Sequence, residues 1–246
     1  MRIFKLFALI SILTVSHYSC DSGMSAQQII DQSIAVSGGE HYEKSLVQFN
    51  FRDRKYLVNH TTEQLEMNRT TYTDSSEIAD IVWGKDFKRI INKEEVEVPD
   101  SMAIKYMESI NSVIYFALLP YHLNDPAVKK EYLSMKTIEG KDYHKIQVTF
   151  EEEGGGIDFQ DVYVYWINAA TYKVDYLAYS FLVDGGGYRF RAAYNERIVG
   201  GIRFVDYINY KPIDTPNSVA ELDDFLVNGK LEELSKIELK KITVSS

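Results

Sequence analysis

The sequence predicts a mainly β fold of the α+β class, a curved antiparallel sheet covered by a lid helix. Three observations carry that prediction. Runs of period-two apolar alternation recur along most of the chain, separated by glycine-rich reversals. Eighteen tyrosines and twelve phenylalanines suit broad rings on a pleated, half-buried surface. One long amphipathic stretch, residues 101–119, interrupts the strands with helical spacing.

The N-terminus comes first. Arg2 and Lys5 precede an apolar run from Leu6 to Val15, and Ser19 stands before Cys20, the chain's single cysteine. This layout reads as a signal peptide of the bacterial lipoprotein type over residues 1–19, with Cys20 acylated after cleavage. His17 and Tyr18 depart from the aliphatic pattern usual before such a cysteine. An ordinary cleaved signal peptide and an uncleaved anchor are the other readings. The apolar run of ten residues falls well short of the ~20 that a membrane-spanning helix needs. A lone thiol in an oxidising compartment has no disulfide partner, which favours acylation. Residues 20–25 would form the lipidated tether and residues 26–246 a single domain.

Removing Arg2 and Lys5 with the signal peptide leaves 25 basic against 36 acidic side chains, a formal charge of −11. Such a surface repels nucleic acid and anionic headgroups. The acyl chains would therefore supply the membrane attachment. The expected location is the cell envelope, on the inner or outer membrane, with the domain facing the periplasm.

Beyond the tether, apolar residues at Ala26, Ile29, Ile30, Ile34 and Val36 predict a helix that Ser37-Gly38-Gly39 stops. Val47, Phe49 and Phe51 alternate with polar neighbours as a strand. Glu63–Tyr72 is a more polar strand, and Ile78–Trp83 with Phe87–Ile91 forms a hairpin about Gly84-Lys85. Pro99-Asp100-Ser101 opens the long helix and Pro120 closes it. Its wide apolar face must lie across the concave side of the sheet or close over a cavity. Strands follow at about 129–138, 142–150, 159–168, 172–183, 187–196 and 201–210, then a short helix near 218–227 and a last strand near 233–244.

Chemistry-bearing motifs are sparse. The acidic loop Glu151–Gly156 with Asp158 and Asp161 lacks the oxygen spacing of a calcium loop. Gly185-Gly186-Gly187 joins two strands after Asp184 and fails as a phosphate loop. His41, His60, His122 and His144 show no zinc spacing, so no metal or cofactor is predicted. Thiol catalysis falls with the acylation of Cys20. Asn59-His60-Thr61 and Asn68-Arg69-Thr70 match the glycosylation sequon, a pattern common by chance.

Aromatic strands offer more. Tyr163, Tyr165 and Ile167 share one strand face and Val162, Val164 and Trp166 the other. Either the interior is filled with rings, or an apolar pocket opens between the sheet and the 101–119 helix. For such a pocket the candidate lining residues are Trp83, Tyr115, Phe116, Tyr165, Trp166, Phe181 and Phe190.

Several stretches together resemble an uncharacterised family of Gram-negative envelope lipoproteins, classed as a domain of unknown function. They are Gly38-Gly39 with Val47–Arg52, Leu119–Asp125, Glu153–Gly156, Asp161–Trp166, Tyr176–Phe181 and Gly200–Tyr207. The order helix, Gly-Gly, strands, lid helix and long meander is also similar to LolA/LolB-type lipoprotein carriers. That resemblance implies an incomplete β-barrel closed by helices over an apolar cavity that receives acyl chains. An anchored chain is closer to the LolB arrangement than to a soluble carrier.

The expected function is accordingly a non-enzymatic lipoprotein that binds a lipophilic ligand or an acylated protein. A non-enzymatic envelope scaffold with a filled core, and a hydrolase built from dispersed residues, are the alternatives.

Overall fold

The computed structural model describes residues 23–246. The signal peptide, Cys20 and the first residues of the tether lie outside the described residues. Helix α1 spans Ala26–Ser37 and begins in a capping box. Ser25 Oγ accepts from Gln28 N at 3.2 Å, and Gln28 Oε1 accepts from Ser25 N at 2.9 Å. At Gly38 a Cβ would stand 2.7 Å from the Tyr42 ring, so the chain can leave the helix only through glycine.

Fourteen strands follow among the described residues. They are β1 Leu46–Phe51, β2 Arg54–Asn59, β3 Glu66–Tyr72, β4 Glu77–Trp83, β5 Asp86–Ile91, β6 Glu94–Val96, β7 Val128–Ile138 and β8 Lys141–Phe150. The rest are β9 Val162–Asn168, β10 Val174–Phe181, β11 Gly187–Val199, β12 Ile202–Pro212, β13 Leu231–Ile237 and β14 Leu239–Ser245. Helix α2 covers Asp100–Ala117 and α3 covers Leu222–Val227.

Every pairing is antiparallel, in two seven-stranded sheets. One runs β14-β1-β2-β3-β4-β5-β6 and the other β13-β12-β11-β10-β9-β8-β7. Glu238 alone separates β13 from β14, so the chain steps directly from one sheet to the other. No barrel closes, because β6 and β14 of one sheet and β7 and β13 of the other all remain edge strands. Helix α2 follows β6 and precedes β7, and it packs on the first sheet against β2, β3 and β5.

Three differences from the sequence reading have local causes. The hairpin β1–β2 turns on Arg52-Asp53, with Phe51 opposite Arg54 and Arg52 at φ 55°. No glycine, proline or asparagine marks it, so β2 is silent in the sequence. Short β6 sits beyond Asn92-Lys93, both at positive φ. The expected last strand is two strands. Buried Asp206 accepts the Leu239 N–H at 2.9 Å and pairs with Arg197, which also donates to Leu239 O at 2.6 Å. That clamp takes the Leu239 backbone out of one ladder and turns the chain into the next.

Packing divides into three clusters. The inner face of the first sheet packs on α2 through Val47, Phe49, Tyr56, Val82, Ile110 and Ile114. Ile29, Ile30, Leu119 and Leu123 cover the inner face of the second sheet at Ile146, Tyr165, Ile167 and Leu177. Its outer face, with Tyr143, Val164, Trp166, Ala178 and Phe190, packs on Val219 and Leu222 at the start of α3. No helix among the described residues is long and apolar enough to cross a membrane.

Candidate functional site

Helix α2 is fastened to the first sheet at its N-terminal half. Asp80, almost fully buried, receives Arg69 Nη2 at 2.7 Å and Arg89 Nε at 2.7 Å. Arg69 Nη1 donates to Ser109 Oγ at 2.9 Å, and the Arg89 guanidinium lies 3.8 Å from the Tyr106 ring centre. Two cations on one carboxylate, each touching α2, fix that end of the helix.

The C-terminal half of α2 roofs a cleft of about 330 Å³. Ser112, Val113, Phe116 and Ala117 line it from above, and Phe51 from the first sheet. Its floor comes from the second sheet and the corner between the sheets, at Tyr179, Val205, Tyr207, Ile237 and Leu239. The volume lies within the range of small-molecule sites. The lining is chiefly apolar and aromatic.

One polar row crosses the floor. Arg191 on β11 stands opposite Asn209 on β12, which stands opposite Ser235 on β13. Arg191 is only 9% exposed, and its guanidinium lies 4.1 Å from the Phe116 ring centre and 5.1 Å from that of Tyr179. Its Nη2 donates to Tyr179 Oη at 2.9 Å, and its buried Nε has no protein hydrogen-bond partner. Asn209 Nδ2 donates to Ser235 Oγ at 3.3 Å while Asn209 Oδ1 is buried and unpartnered. Tyr207, fully enclosed beside this row, has its phenol pKa raised by burial, against which the positive charges of Arg203 and Arg191 act.

A second cleft of about 260 Å³ lies on the other side of Ser112 and Phe116. Its walls include Tyr115, Phe150 and Tyr163, with Glu108 and Asp158 at its polar side. Burial, reinforced by Asp158, raises the pKa of Glu108. The same two causes push Asp161 up to about 6, opposed by a hydrogen bond from the Leu182 backbone. A larger hollow of about 780 Å³ near β5, β6 and the start of α2 is lined by Lys85, Asp86, Lys88, Arg89, Glu95 and Glu97 among others. That surface is charged and open, unsuited to an apolar guest.

The residues singled out in the sequence divide between faces. Phe116 lines both clefts, and Tyr115 lines the second. Tyr165 lies beneath Tyr115, fully buried in the inner-face cluster. Phe181 sits at the end of β10, 6.1 Å from Tyr179. Trp166 and Phe190 point the opposite way, 5.5 Å apart and fully buried below α3. Trp83 follows core-facing Val82 and so lies on the outside of the first sheet, half-buried. Trp83, Tyr165, Trp166, Phe181 and Phe190 line neither cleft beneath α2, which leaves Tyr115 and Phe116 of the seven candidates.

Tyr179, Arg191, Tyr207, Asn209 and Ser235 were not among the sequence candidates. Their one signal is an arginine between apolar neighbours on a strand, readable only once the buried face is known. His144 is half-buried between the rings of Tyr132 and Tyr172, with its pKa lowered by burial. Among the described residues no three His, Cys, Asp or Glu side chains gather as a metal site.

The chain belongs to the Family of unknown function (DUF6503), whose model matches residues 3–239. No curated protein matches it. Among solved structures it is similar to a LolA superfamily protein from Nitrosomonas europaea, at 11% identity and a TM-score of 0.48, covering 91% of this chain and 93% of that one. A DUF1329 family protein from Desulfovibrio piger aligns at 11% identity and a TM-score of 0.39, covering 91% and 92%. The Mycobacterium tuberculosis lipoprotein LppX aligns at 12% identity and a TM-score of 0.30, covering 64% and 87%. These are likenesses of outline only.

Proposed function

We propose that this DUF6503 family member is a lipid-anchored protein of the cell envelope, its domain facing the periplasm. It binds a lipophilic ligand or the acyl chain of a lipoprotein in the cleft beneath α2. The observation that carries this reading is the cleft itself. A helix fixed at one end by buried ion pairs leaves about 330 Å³ open beneath its other end, where apolar and aromatic side chains meet. Water held against such walls is readily displaced by a hydrocarbon chain, which hides apolar surface on both partners.

The tether suits the same reading. Met24 already touches the domain, its sulfur accepting from Tyr172 Oη at 3.3 Å. Four residues beyond Cys20 reach at most ~14 Å, so acylation at Cys20 would hold the α1 side close to the bilayer.

Native mass spectrometry of the full chain carrying Cys20→Ser, purified without detergent, tests this. A co-purifying or added lipid should bind with one-to-one stoichiometry. Phe116→Ala should abolish its retention with little loss of secondary structure. A chain that takes up neither fatty acid nor lipopeptide would overturn the reading.

A further inference from the structure

Arg191 is a buried cation that no carboxylate of the described residues neutralises. Among the described residues no carboxylate lies within ion-pair distance, and the guanidinium is held by Tyr179 Oη and two aromatic faces alone. Other buried basic groups of the chain differ. Arg69 shares Asp80, Lys145 meets Asp223 at 2.7 Å, and Arg203 meets Glu196 at 2.7 Å. A charge removed from water without a counter-ion is costly, so its retention needs a partner that arrives from elsewhere.

We infer that Arg191 receives the anionic headgroup, a carboxylate or a phosphate, of an amphiphile whose hydrocarbon tail occupies the cleft. This inference rests on the proposed lipid-binding reading and deepens it. The Nε, buried and without a protein partner, lies in the guanidinium plane beside the Nη groups, an arrangement that pairs with two oxygens of one anion once the headgroup displaces what packs over it. Asn209 stands directly opposite in the neighbouring strand with a buried amide end unpartnered. Because Ser235 Oγ can either donate or accept, that amide can turn over and present its N–H groups to the anion. Tyr179 Oη accepts the hydrogen bond from Arg191 Nη2, which leaves the phenol hydrogen free to reach the same headgroup. Val113, Phe116, Val205 and Ile237 provide apolar walls for the tail.

The test compares palmitate, 1-palmitoyl lysophosphatidate and hexadecanol as ligands of the full chain carrying Cys20→Ser, by calorimetric titration. At least one of the two anions should bind roughly ten-fold or more tightly than the alcohol, as expected for a charge-assisted hydrogen bond. A preference for palmitate identifies a free carboxylate as the source, and one for lysophosphatidate a phosphate headgroup. Arg191→Gln should erase the preference, bringing the anions to the affinity that hexadecanol has for the same variant. Asn209→Asp, which places a counter-ion beside Arg191 from within the chain, should erase it as well and needs no loss of the arginine. Equal wild-type binding of all three ligands would overturn the headgroup inference and leave the cleft reading intact. An equal loss of all three in Arg191→Gln with a native circular dichroism spectrum would reduce the arginine to a packing role. Failure of all three to bind the wild type would remove the cleft reading itself.

Discussion

The second sheet buries a basic side chain on each of its faces, and the two are treated oppositely. On the outer face Lys145 donates to Asp223 Oδ2 at 2.7 Å and to the carbonyl of Ala220. Trp166 Nε1 donates to the same Asp223 oxygen at 3.1 Å, and Asp223 is fully buried. Helix α3 supplies that carboxylate and closes over it with Leu222, so charge, hydrogen bonds and packing are complete together. On the inner face Arg191 has aromatic rings, one hydroxyl and a cleft. The completed site holds the fold together. The incomplete one is where the proposed headgroup would bind, because an unmatched buried charge calls for a partner.

Removing the outer counter-ion should have the largest effect. Asp223→Ala strands the Lys145 ammonium and the Trp166 indole N–H in a dry layer, a loss of about 3–5 kcal/mol. Urea unfolding should show the lower midpoint. If any folded protein of this variant remains, its ligand affinity should match wild type, since α3 does not touch the cleft.

A smaller effect is expected from Asp161, just before β9, and shows in the pH dependence. Asp161 keeps its proton up to about pH 6 when folded, whereas an unfolded aspartate ionises near its ordinary value of 3.8. Between these values the native state holds more protons than the unfolded state, so this group's contribution to stability falls as pH rises from about 4 to about 6. Asp161→Asn should remove that fall and stabilise the protein at pH 7 by about 1–2 kcal/mol. Denaturant titrations at pH 4.5 and pH 7 provide the check, and a variant less stable at pH 7 would contradict it. The carboxylates of Asp80 and Asp206, which face arginines, should give no such gain on conversion to asparagine.

The smallest change is expected at Arg191, which pairs with no carboxylate among the described residues. Arg191→Met should stay within about 1 kcal/mol of wild type, as the lost cation–π contacts are offset by relief of an unpaired buried charge. A loss comparable with that of Asp223→Ala would make Arg191 a structural group and dissolve the contrast.

The same contrast explains what the sequence revealed. Strand period, the long helix and the glycine reversals are local properties, so α1, α2 and the meander from β7 to β12 were legible. At Gly200-Gly201 both residues take positive φ, as a tight hairpin requires. The Arg52-Asp53 turn carries no such residue, and β2 went unseen. The division of the last strand depends on Asp206, thirty-three residues before Leu239. Within the site, Tyr115 and Phe116 were accessible from the helix face. Strand β9 carries rings on both sides, so alternation could not tell Tyr165 below α2 from Trp166 below α3. Arg191 was missed for a different reason: size and aromaticity select rings, whereas the distinctive feature of this site is a charge on a buried face.

The decisive measurement is photo-crosslinking with a palmitate bearing a diazirine in its tail, followed by peptide mapping of the labelled chain. Adducts are expected on the cleft residues of α2 and the sheet corner, at Val113, Phe116, Val205 or Ile237. Adducts confined to the outer face around Trp166 and Phe190, or labelling that excess unlabelled palmitate does not suppress, would contradict the cleft reading.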